Sequence, residues 1–150
     1  MKPREKYISE LFARHNEWCA RQEAQLAKCR SVFMAQADRQ VAQGDAVKAA
    51  KSRALALSPR ILRRMAEREE QLIEWLNDPL VWVRPTNTSY AEIYHYTKKC
   101  PHVQRGYVDD FLPRLEGEAK TTGKAGCTSN FCTSALWAWQ NVLQKEVVAA

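Results

Sequence analysis

The sequence predicts a mainly α-helical protein: a long N-terminal amphipathic helix in a helical hairpin or bundle, followed by a smaller helical and irregular C-terminal region that a zinc site would close. Three observations carry this. No proline or glycine falls between Arg4 and Gln43. Ser58-Pro59 is a helix-start pair, followed by apolar residues at spacings of three and four. In the last third of the chain, Cys100-x-His102 and Cys127-x4-Cys132 form two close pairs of thiol and imidazole ligands. A length of 150 residues suits a single domain. We expect a helical part with a basic helix pair over 1–78 and an aromatic-rich subregion over 79–150, packed together.

The first helix is read from Ile8, Leu11, Phe12, Trp18, Cys19, Leu26, Cys29, Val32, Phe33, Met34 and Val41, which keep a helical period with His15 and Gln22 interrupting the stripe. Gly44 offers a left-handed helix end and Asp45 a cap for the next helix. At ~1.5 Å per residue the first helix would span roughly 55 Å, more than the width of a domain this size. It should therefore protrude, fold into a hairpin, or pair with a second copy through residues 5–43.

Residues 46–57 read as a short, alanine-rich basic helix. The helix from Pro59 to about Asn77 places Ile61, Leu62, Met65, Leu72, Ile73 and Leu76 on one face and Arg60, Arg63, Arg64 and Arg68 on another. Residues 79–87, β-branched and bracketed by prolines, read as an extended connection with at most one strand. Ser89-Tyr90-Ala91-Glu92 has the form of a capping box, which predicts a short helix over Ile93–Thr97. Residues 103–116 are expected to be partly helical and broken by Pro113. Residues 116–126 read as a polar loop, and the last helix follows Thr128-Ser129-Asn130.

The charge is informative once located. The chain has 23 basic and 17 acidic residues, a net charge of +6. Residues 46–66 contain Lys48, Lys51, Arg53, Arg60, Arg63 and Arg64 and no acid, so the whole excess lies in this window. A surface made only for solubility intersperses both signs. Such a window is the electrostatic footprint of a polyanion-binding face, with arginine able to grip phosphate or guanine edges in bidentate fashion. Lys98, Lys99 and Arg105, interleaved with Trp82, Tyr90, Tyr94, Tyr96, Tyr107 and Phe111, form a second set. These rings would stack on bases if exposed and would build the C-terminal core if buried.

Five cysteines, an odd number, with a charged N-terminus and no apolar run of membrane-spanning length, argue for free thiols or metal ligands in a cytoplasmic protein without membrane contact. Cys100, His102, Cys127 and Cys132 are the expected zinc ligands, with His95 as a substitute. The alternative is that these cysteines are small buried hydrophobes. No enzyme is expected: a cysteine–histidine nucleophile would need a base held in reach, and no complete catalytic arrangement surrounds Cys100 or His102.

These readings predict a small basic nucleic-acid-binding protein of regulatory or accessory type. It would contact DNA or RNA through Lys48, Lys51, Arg53, Arg60, Arg63, Arg64, Arg68, Lys98, Lys99 and Arg105. The alternative is a non-enzymatic interaction module, an adaptor or inhibitor, that dimerises or docks on an acidic protein surface.

Overall fold

A computed structural model of the chain describes residues 2–85, 92–105 and 108–149, with the side chains of 147–149 left aside. Element order is α1 (Pro3–Ala42), α2 (Ala46–Ala56), α3 (Pro59–Trp75), β1 (Leu80–Val83), β2 (Ile93–Tyr94), α4 (Pro101–Gln104), a 3-10 turn (Val108–Asp110), β3 (Leu112–Leu115), α5 (Glu116–Thr121), β4 (Ala125–Gly126) and α6 (Asn130–Ala149). The protein is mainly helical, as its periodicity predicts. The chain clusters into two compact units, one over Ile8–Leu72 and the other combining residues 1–7 with 73–150.

The 8–72 unit is a helical hairpin. Gly44 takes φ of 78°, ending α1, and Asp45 caps α2 by accepting the Lys48 amide at 3.0 Å. Small side chains, Ala37, Ala49, Ser52 and Ala56, are buried in this unit, and Ser52 Oγ donates to Gln40 Oε1 at 2.7 Å across the α1–α2 contact. Further along, the Arg68 guanidinium of α3 lies 4.6 Å from the centre of the Trp18 ring of α1. The order of these contacts, Gln40 with Ser52 and Trp18 with Arg68, shows α1 running back along α2 and α3. Pro59 does begin α3, but Ser58 does not cap it as expected. Its φ is 47°, and its hydroxyl turns back towards the Leu55 carbonyl.

The unit built from 1–7 and 73–150 is organised on two short strand pairs. β1 pairs antiparallel with β3, Leu80 opposite Leu115, and β2 pairs parallel with β4, Tyr94 opposite Gly126. Trp82 and His95 join the pairs through reciprocal backbone hydrogen bonds of 2.7 and 2.9 Å. Alternation along β1 sends Val81 and Val83 into one apolar cluster with Tyr94 and Ala119. Trp82 packs against the other, formed by Cys100, Val103, Phe111, Cys127 and Cys132. Arg4 closes the unit by donating from Nε to the Asp78 carbonyl at 2.9 Å and from Nη2 to that of Leu76, with its guanidinium over Trp139.

Three local expectations are corrected here. Ile93 and Tyr94 form a strand, not a helix; Ser89, Tyr90 and Ala91 of the expected capping box lie outside the described residues. Pairing with Ala125 and Gly126 outweighs the local helix signal, and Gly126 has no side chain to obstruct the Tyr94 ring 3.3 Å from its Cβ direction. Residues 112–115 are a strand that includes Pro113, which is tolerated because β3 is an edge with β1 on one side only. Residues 116–121, read as loop, form α5. The Leu115 amide donates to Glu118 Oε2 at 3.0 Å and the Gly117 amide to Asp78 Oδ2 at 2.7 Å, which anchors its first turn.

Candidate metal centre

His95 follows β2 and is fixed by its double backbone bond to Trp82. Cys100 caps the N-terminus of α4, where Pro101 needs no amide partner and His102 falls in the first turn. Cys127 follows β4, and its amide donates to the Tyr94 carbonyl at 2.9 Å. The parallel β2–β4 pairing therefore brings Cys127 to His95, although the two are far apart in sequence.

Four ligand atoms, from His95, Cys100, His102 and Cys127, lie within 4.8 Å of one another, and this cluster could hold a metal ion. Cys100 Sγ is 3.9 Å from Cys127 Sγ, and His102 Nδ1 is 3.7 Å from the first and 3.8 Å from the second. His95, Cys100 and Cys127 are buried, whereas His102 is exposed. Cys132, in the first turn of α6, stands beside this group rather than within it. Its Sγ lies 3.8 Å from His95 Nδ1 and is wholly buried. Of the four expected ligands, Cys100, His102 and Cys127 are thus brought together, and His95, the substitute, completes the cluster in place of Cys132.

Ser129 ties the thiols together. Its Oγ is 3.3 Å from Cys100 Sγ, accepts from Cys127 Sγ at 3.4 Å and accepts the Cys132 amide at 3.4 Å, while its own amide donates to Cys127 Sγ at 3.5 Å. Burial opposes ionisation of Cys100. Hydrogen bonds from the Ser129 hydroxyl and the His102 backbone, then from the Cys132 and His102 side chains, outweigh it and bring its pKa down to about 7. At Cys132 burial prevails and the thiol is pushed up to about 11, against the help of Ser129. Burial, then the charge of His102, holds the His95 pKa below the usual imidazole range. A neutral imidazole at His95 and an easily ionised thiol at Cys100 are the forms in which such groups ligate metals.

The basic residues divide differently. Lys48, Lys51, Arg53, Arg60, Arg63 and Arg64 are all exposed, and Lys48 pairs with Asp45 at 3.5 Å. Arg68 is half-buried over Trp18. Lys98 is half-buried with its ammonium 4.4 Å from the centre of the Trp82 ring, while Lys99 and Arg105 are exposed. Among the interleaved aromatics, Tyr94 and Phe111 are core residues and Trp82 and Tyr96 pack against the core. Tyr90 and Tyr107 lie outside the described residues. No described helix is long and apolar enough to cross a membrane.

Fold and site define a mainly helical protein with a thiol–imidazole cluster competent for a metal. No protein-family model, curated protein or solved structure matches the chain.

Proposed function

We propose that the protein binds nucleic acid through α2 and the first turns of α3, and that its 73–150 unit is closed by a structural zinc ion. The observation that carries the first part is a set of cations without counter-charges. Lys51, Arg53, Arg60, Arg63 and Arg64 are exposed, and none forms an ion pair with a described residue. Unpaired cations on neighbouring helices repel one another, and successive phosphates relieve that repulsion while releasing condensed counterions.

Zinc is supported by donor chemistry and spacing. Sulfur and imidazole nitrogen suit zinc rather than magnesium or calcium. A tetrahedral zinc with Zn–S of about 2.3 Å and Zn–N of about 2.0–2.1 Å needs edges of roughly 3.8 Å between sulfurs and roughly 3.5 Å between sulfur and nitrogen. The separations of 3.9, 3.7 and 3.8 Å among Cys100, Cys127 and His102 approach these. His95 or Cys132 supplies the fourth ligand.

Titration of labelled duplex DNA and RNA by anisotropy, at several salt concentrations, tests the binding. If five cations each meet a phosphate, log K falls with log salt at a slope of about −4 to −5. Replacing Arg60, Arg63 and Arg64 together with alanine flattens the slope by about 3. Salt-independent binding, or none, refutes this function.

A further inference from the structure

Helix α3 carries its charges against its own dipole. Arg60, Arg63 and Arg64 occupy its first turns and Glu67, Glu69, Glu70 and Glu74 its second half, with no acid in the first turn and no base in the last. Cations at the positive end of a helix and carboxylates at the negative end are both unfavourable. A second α3 laid antiparallel reverses both: its acidic, negative end falls beside the arginines, and its arginines beside the glutamates.

The same helix leaves an uncovered stripe. Leu62, Ala66, Glu69 and Ile73 recur at spacings of four, three and four, and all are exposed, Leu62 by 50% and Ile73 by 57%. The stripe is self-complementary about a twofold axis between Glu67 and Arg68. Leu62 then faces the second copy's Ile73 and Ala66 its Glu69, while Arg63, which flanks the stripe, lies beside its Glu70. Within the 8–72 unit, Leu62 also lines a groove of about 750 Å³ with Leu26, Met34 and Leu57, flanked by Arg30 and Arg53. Leu57 in this groove is 71% exposed. The antiparallel register delivers an apolar side chain to this place, followed by carboxylates.

We propose that α3 is the seam of an antiparallel homodimer, in which the second copy's Ile73 enters the groove beside Leu62 and its Glu70 meets Arg63. This assembly is independent of the nucleic-acid reading, but the two draw on Arg63 in common. Nucleic acid and the second copy therefore compete for it.

Sedimentation velocity of the full chain without nucleic acid tests the seam. The native protein sediments as a dimer at low ionic strength and dissociates as salt screens the pairs. The charge reversals E70R and R63E each give monomers with native circular dichroism. Mixed, the two variants form a one-to-one heterodimer, and a chain carrying both substitutions associates with itself again.

A native monomer at low salt overturns the proposal, and so do variants that remain dimeric, which would put the interface elsewhere, as on residues 5–43. Folded variants that fail to associate on mixing overturn it too. Because E70R keeps every arginine, nucleic-acid binding measured on that variant separates failure of the seam from failure of the proposed function.

Discussion

Ser129 serves two structures with one hydroxyl: it caps the start of α6 through the Cys132 amide and touches the Sγ atoms of Cys100 and Cys127. A residue that orients metal ligands without binding the metal contributes to affinity through their positions. Ser129→Ala should keep one metal per chain but weaken it by about 10- to 100-fold, measured by competition with a chromophoric chelator. Cys127→Ser, which removes a donor, should lose stoichiometric binding. The sequence showed Ser129 only as a capping side chain, because nothing local reveals that a cap will face three thiols. Cys100, His102 and Cys127 were legible as close ligand pairs. His95 was legible only as a substitute, and its place in the cluster ahead of Cys132 was not, since that depends on the Trp82–His95 bridge and the pairing of β2 with β4.

Among the elements, the long helices were legible and the short strands were not. α1, α2, α3 and α6 carry their own signals: apolar period, caps at Asp45 and Ser129, and proline at the start of α3. β2 and β4 have two residues each, too few for any alternation, and exist only because they pair with each other. The connections can be tested at two glycines that matter for different reasons. Gly44 takes φ of 78° with open space around its Cβ direction, so Gly44→Ala should cost roughly 1–2 kcal/mol through conformation alone. Gly117 has an ordinary backbone, but a Cβ there would collide with the Trp75 indole and approach the Asp78 carboxylate at 2.7 Å. Gly117→Ala should cost about 1–3 kcal/mol through displaced packing. Denaturant unfolding followed by tryptophan fluorescence checks both, with a blunted Trp75 signal expected in the Gly117 variant only.

For the molecule as a whole, the two units differ in what holds them. Hairpin helices with their own caps and a Gln40–Ser52 tie need no metal. The 73–150 unit rests on two-stranded sheets, which are marginal alone, and one of its two apolar clusters is built around Cys100, Cys127 and Cys132. Chelation should therefore open residues 73–150 to protease and erase near-ultraviolet circular dichroism from Trp82, while far-ultraviolet helix signal from α1 to α3 persists. Acid should act in the same direction. A thiol whose pKa falls from 9.0 to about 7 on folding adds stability that is complete above about 9 and gone once pH falls through about 7. Protons also compete with the metal for the Cys100 thiolate, so loss of metal and loss of this unit should coincide on acidification rather than on alkalinisation. Identical proteolysis patterns with and without chelator, across that pH range, would show that the cysteine cluster is an apolar core that needs no ion.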